Sequence, residues 1–276
     1  TGGGTIGGAL TGSTTTLTIG PVSVGSYTPQ GAVTGISNLV VTNGTFTNTL
    51  HPVTVATAIS TAAAGTITLN NILTGAATVN NAGNLNIDFI NALTATGALT
   101  NTGTLSITKA YTPTSSAFTT SGTININSGG IFTKPATFTN TGITKIDGTG
   151  TINGAYIGGA GSSLIIGPTT STTSYTTTGT IAGVETITVQ KGLFTVANAV
   201  SGAINFNISS GAKAVLNAVV TGTGAVTNAG TLTFNTAAAL ASFASLTNTG
   251  SLNIAANFTV PATLTNTGAV YIYSTS

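Results

Sequence analysis

The chain of 276 residues has no cysteine, no methionine and no tryptophan. Disulfides, thiol nucleophiles and thiolate metal sites are thereby excluded, and cysteine usage says nothing about the redox compartment. Charge is almost as scarce. Only 3% of the residues are charged, against roughly 25% in ordinary soluble domains. The five basic residues are all lysines, Lys109, Lys134, Lys145, Lys191 and Lys213, and arginine is absent. A net charge of +2 carried by five scattered lysines is not the clustered Lys/Arg footprint that nucleic acid or an anionic membrane selects. No nucleic-acid partner is expected. No apolar run reaches the ~18 residues of a membrane helix, and the opening TGGGTIGG lacks the basic and apolar regions of a signal peptide. No membrane insertion is expected, and secretion would require a signal already removed.

What is present is a hydrophobic fraction of 41% and a mean hydropathy of +0.44, ample for a core. Thr, Asn, Gly, Ser and Ala fill the remainder, yet Leu, Ile, Val and Phe recur at regular positions, unlike a disordered linker. The chain is also written twice. A shift of about 147 positions lays IGP at Ile19–Pro21 on IGP at Ile166–Pro168, and ALTNTGTLSI from Ala98 on SLTNTGSLNI from Ser245. Two copies follow, residues 1–146 and 147–276, read as continuous halves of one structure.

Within the copies a shorter unit recurs: VNNAGNLNI from Val79, LTNTGTLSI from Leu99, FTTSGTINI from Phe118, VTNAGTLTF from Val226, LTNTGSLNI from Leu246 and LTNTGAVYI from Leu264. FTNTGITKI from Phe138 is a drifted copy. The anchoring glycines, Gly83, Gly103, Gly122 and Gly142, then Gly230, Gly250 and Gly268, recur at about 18–20 residues. Alternating apolar residues such as Leu105 and Ile107 mark half-buried strands. Frequent glycine and few helix formers oppose helix. Stacked strands about 4.8 Å apart, one coil per repeat, give an all-β fold: a single elongated parallel β-helix, or β-solenoid, of about 14 coils. Coil lengths that wander by two residues favour the right-handed type.

Parity sets Asn81, Asn101, Asn140, Asn228, Asn248 and Asn266 on the same side as the apolar residues, at a bend before each glycine. They are expected to form an internal asparagine ladder whose amides bond from coil to coil, with the glycine permitting the turn. Thr120 and Thr177 replace asparagine without removing a polar group. The alternative is a solvated Asn-Thr-Gly turn.

Strings such as LTNTGTLSI and LTNTGSLNI resemble the Asn-Gly-rich coils of secreted bacterial β-helix surface proteins, the autotransporter passenger domains and filamentous-haemagglutinin-type adhesins. That resemblance implies an extracellular, cell-surface, non-enzymatic rod engaged in adhesion or fibre building. The chain departs from those families in its near absence of charge and carries no recognisable membrane-anchoring barrel.

Catalytic chemistry has few candidates. Asp88, Asp147 and Glu185 are the only acids. Solenoid rise would set Asp88 and Asp147 roughly 14 Å apart, beyond the ~5–10 Å of paired glycosidase carboxylates. His51 stands alone, Gly2–Gly7 matches a dinucleotide fingerprint only formally, and no cofactor or metal site is expected. Lys145 and Asp147, two apart on one strand face, suggest a solvated pair. Asn43, Asn207 and Asn257 begin glycosylation sequons. Not an enzyme, the chain reads as a fibre or adhesive rod whose partner is itself, as a homopolymer, or a surface receptor. Assembly is expected through Val270, Tyr271, Ile272 and Tyr273, uncharged and without a polar cap. Outward Thr-x-Thr pairs such as Thr100/Thr102 and Thr247/Thr249 support ice binding as an alternative, and a surface-layer subunit is another.

Overall fold

Alternation of one apolar with one polar residue dictates strands, and strands are what the computed structural model contains. It describes residues 2–4, 8–95, 97–170, 172–202, 204–236, 240, 242–256 and 261–273. Among them there is no helix, and the strands pair in parallel. The fold is a parallel β-solenoid of about 13 coils. Its contacts separate into two compact units, Thr1–Asn125 with Gly130–Thr139, and Ile126–Gly129 with Asn140–Ser276.

In the first unit, strands from successive coils stack residue on residue. Ile67 lies over Leu85 and Leu85 under Leu105, while Leu69, Ile87 and Ile107 form the neighbouring column. On a second sheet face Ile59, Val79, Leu99 and Phe118 are in register. These side chains are at most 2% exposed. Phe118, Phe132 and Phe138 close a triangle with ring centroids 6.0, 5.3 and 5.6 Å apart, geometry in which aromatic edges and faces attract. The two long strands Val33–Asn48 and Val53–Leu69 carry register shifts that let one strand bend from face to face.

The second unit repeats the plan with different columns. Ile146, Ile166, Val189, Ile208, Asn228, Asn248 and Asn266 follow one another in register on one face. Tyr175, Phe194, Ala214, Leu232, Leu252 and Val270 do so on another, and Ile181, Val200 and Val220 on a third. The inward residues Leu232, Phe234 and Leu252 are buried, whereas Ile254 is half-buried.

The repeat glycines act differently from the sequence expectation. None of Gly83, Gly103, Gly122, Gly230, Gly250 and Gly268 has the positive φ of a left-handed turn. Their requirement is close stacking. A Cβ on Gly103 would meet Gly83 O at 2.2 Å and one on Gly250 would meet Gly230 O at 2.1 Å, so any side chain would force adjacent coils apart.

Candidate functional site

Asparagine in a strand interior disfavours β structure unless its amide finds partners. In the first unit Thr61, Asn81, Asn101 and Thr120 occupy successive coils at one register position. Thr61 Oγ1 donates to Asn81 Oδ1. Asn81 Nδ2 donates to Asn101 Oδ1 at 2.6 Å, and Asn101 Nδ2 to Thr120 Oγ1 at 3.0 Å. The second amide hydrogens reach backbone carbonyls, Asn81 to Thr104 O at 2.9 Å and Asn101 to Thr123 O at 3.2 Å. Asn81 and Asn101 are 2% and 0% exposed. The ladder has a direction, with carbonyls facing the preceding coil and amide hydrogens the following one.

The second unit builds the same device. Asn228 Nδ2 donates to Asn248 Oδ1, and Asn248 Nδ2 to Asn266 Oδ1, both at 2.7 Å. Asn228 and Asn248 are fully buried and Asn266 is exposed. At the head of this ladder Ile208 occupies the position that Thr61 holds in the other, and Asn228 Oδ1 is buried without a hydrogen-bond partner. Such an acceptor loses its water and receives nothing in return.

Asn140 is held differently. Its Oδ1 accepts from Gly142 N at 2.9 Å, and its Nδ2 donates to Thr144 Oγ1 at 3.4 Å and to the Tyr156 hydroxyl. In the second unit the position in register with Asn228 is filled by Ile146, Ile166, Val189 and Ile208, so Asn140 stands outside that column. Thr177 likewise serves another purpose. It follows the strand Ser174–Thr176, and its hydroxyl accepts from Ala197 N and Asn198 N, both at 2.9 Å. Thr61 and Tyr156 were not legible as ladder and network members, because their motifs lack the Asn-x-Gly signature.

The acids serve loops. Asp88 Oδ1 accepts from Thr108 Oγ1 at 2.7 Å. Asp147 Oδ1 accepts from Thr170 N at 3.1 Å and from the hydroxyls of Thr170 and Thr173 at 3.0 Å each, and its Oδ2 accepts from Thr169. Burial by itself would raise the Asp147 pKa. The bonds from Thr170, Thr173 and Gly148 outweigh it and hold the carboxyl below its usual range. Asp147 thus clasps a loop of the next coil, and no ion pair with Lys145 forms, contrary to the spacing. Glu185 accepts from Gly161 N at 2.6 Å.

Four tyrosines, Tyr27, Tyr111, Tyr156 and Tyr175, are buried. Burial pushes Tyr156 up to about 12, despite bonds with Thr144 and Asn140 that act the other way. Burial also raises Tyr111 and Tyr175. No group of three or more His, Cys, Asp or Glu able to hold a metal exists among the described residues. Val270, Tyr271 and Ile272, within the strand Ala269–Ile272 that pairs with Ser251–Ile254, and Tyr273 after it are 40%, 51%, 78% and 56% exposed. Asn257 lies outside the described residues.

These features define a parallel β-solenoid with polar internal ladders, a fold shared by β-helix proteins generally. Comparison with protein-family models, curated proteins and solved structures finds no match.

Proposed function

We propose that this protein is a structural, non-enzymatic β-solenoid of the extracellular cell surface, akin to autotransporter-passenger and haemagglutinin-type rods, serving as a fibre or adhesive spacer. The observation that carries the reading is the directional ladder. Asn81 to Asn101 and Asn228 to Asn248 to Asn266 make each coil both acceptor and donor for identical neighbours. A coil of that kind is completed by another coil, and a protein made of such coils is suited to extension. Outward positions in register, among them Thr188, Asn207, Thr227, Thr247 and Thr265, are neutral hydroxyls and amides, which favours a surface insensitive to salt.

Self-association is part of the proposal. Val270 and Ile272 of the strand Ala269–Ile272 are exposed apolar side chains that contact with a second copy would cover. Electron microscopy of native material tests it. Ordered fibres, lost in Val270→Lys/Ile272→Lys with the fold intact, support the reading, while short uniform particles oppose it. The in-register Thr227, Thr247 and Thr265 favour a second reading, an ice-binding face, for which thermal hysteresis is the deciding measurement.

A further inference from the structure

In the second unit glycine recurs at one corner over four coils, exposed at Gly183 and Gly202 and covered at Gly222, where Phe243 packs. Tyr156 and Ile157 pair with Ile181 and Ala182, which pair in turn with Val200 and Ser201, and Val200 bridges to Val220. One or two residues further on, this register stacks Gly158, Gly183, Gly202 and Gly222. Their backbones are too close for substituents. A Cβ on Gly183 would meet Gly158 O at 2.7 Å, one on Gly202 would meet Gly183 N at 2.9 Å, and one on Gly222 would meet Gly202 O at 2.9 Å. Gly183 and Gly202 also adopt φ of 66° and 129°, where other residues are strained.

Against the exposed Gly183 lies a groove of about 450 Å³, lined by Ala160, Gly183, Glu185, Asn205, Thr223 and Gly224. That volume falls within the ~300–1,000 Å³ of small-molecule sites. Its polar groups are presented, not consumed. Glu185 is exposed and uses Oε2 to accept from Gly161 N, leaving Oε1 with no hydrogen bond to any described residue. Asn205 Oδ1 accepts from Ala225 N at 3.1 Å, which turns the amide so that Nδ2 is the group left to donate. Thr223 adds an exposed hydroxyl able to do either.

We propose that this groove binds a neutral glycan, one or two sugar rings lying over Gly183. Sugar hydroxyls both donate and accept, and the walls offer a carboxylate acceptor, an amide donor and a hydroxyl within one trough. A carboxylate oxygen takes charge-assisted bonds from hydroxyl donors. The exposed backbone of Gly183 permits a ring to approach as a side chain there would not. Other ligand classes fit less well. An anion would face Glu185, and a tightly held divalent cation calls for more oxygen ligands than one carboxylate supplies.

The test is amide-resolved NMR of the full chain titrated with cellotetraose, maltotetraose and chitotetraose, with trilysine as the cationic comparison. At least one tetrasaccharide should shift the amides of Gly183, Glu185 and Asn205 saturably below about 10 mM, tenfold above a 1 mM dissociation constant. Glu185→Gln keeps an acceptor for Gly161 and should weaken binding about tenfold, the change from a charged to a neutral acceptor. Ala160→Trp, at an exposed wall position, should abolish it, and Thr223→Trp blocks the groove from the other wall should the first variant misfold. The proposal is overturned if no tetrasaccharide shifts these amides, if the shifts persist in both tryptophan variants, or if trilysine alone occupies the groove. Absence of sugar binding would leave the structural reading untouched, because micrographs decide that one.

Discussion

Replacing Ile208 with threonine should not destabilise the protein appreciably, although Ile208 is 1% exposed in a close-packed column. Two opposing effects set the expectation. Shortening a buried isoleucine loses apolar contact, and Ile→Val alone costs about 0.5–1.5 kcal/mol. An ordinary buried threonine would add about 1–3 kcal/mol for an unsatisfied hydroxyl. At this position the hydroxyl has a waiting partner, because Ile208 is in register with Asn228 and Asn228 Oδ1 has no donor. Thr61 makes that bond to Asn81 Oδ1 in the other ladder. Satisfying the acceptor recovers about 1–3 kcal/mol, so the net change should lie between about 0.5 kcal/mol destabilising and about 2.5 kcal/mol stabilising. Ile166→Thr is the control. Ile166 is 0% exposed and its neighbours in register are Ile146 and Val189, which offer no acceptor from their side chains. It should cost about 2–4 kcal/mol. Guanidinium unfolding followed by far-UV circular dichroism gives the comparison. Because repeat arrays can unfold in stages, hydrogen exchange at Ala229 and Thr249, whose amides donate to Ile208 O and Asn228 O at 2.8 Å, reports the site locally. If Ile208→Thr is as damaging as Ile166→Thr, the acceptor at Asn228 is satisfied in some other way and the directional ladder is wrong at its head.

Asn101→Leu should destabilise by about 1–3 kcal/mol, since Asn81 loses an acceptor while Thr120 and Thr123 O lose a donor; a parent-like melting curve would mean that the amide contributes nothing. Alkaline pH should unfold the protein. Burial holds Tyr156 at about 12 against the ordinary tyrosine value of 10.0, so its neutral form is stabilising below pH 10, and that stability is lost as pH rises through about 12. The loss amounts to about 1.4 kcal/mol per pH unit, and absorbance of ionised tyrosine should appear together with loss of structure; titration of every tyrosine near pH 10 in a folded chain refutes it. On the acid side Asp147 has a lowered pKa, so its contribution is present above the unfolded value of about 3.9 and fades as pH falls through the folded one. Asp147→Asn should therefore flatten melting temperature between pH 4 and pH 2, with little change between pH 5 and pH 8; an unaltered acid profile would show that the clasp on Thr169, Thr170 and Thr173 is not a stabilising contact.

Period-2 alternation and the Asn-x-Gly repeat determined the coil, because a half-buried strand can present only one face to a core. Leu85, Ile87, Leu105 and Ile107 could be placed from that rule alone, and so could the burial side of Asn81 and Asn101. Sequence could not decide which coil stacks on which at a given register. That depends on corner lengths, which vary from coil to coil, and on which side chains the corners admit. Tertiary structure alone therefore broke the asparagines into separate ladders, set Ile208 rather than a hydroxyl above Asn228, and gave Asn140 to Tyr156. It also showed that the repeat glycines are required by backbone contact between coils and not by turn conformation. Gly158, Gly183, Gly202 and Gly222 are indistinguishable from the other glycines of the sequence until parallel pairing brings them into one column. The groove against Gly183 leaves no motif, since its shape is a property of neighbours far apart in the chain.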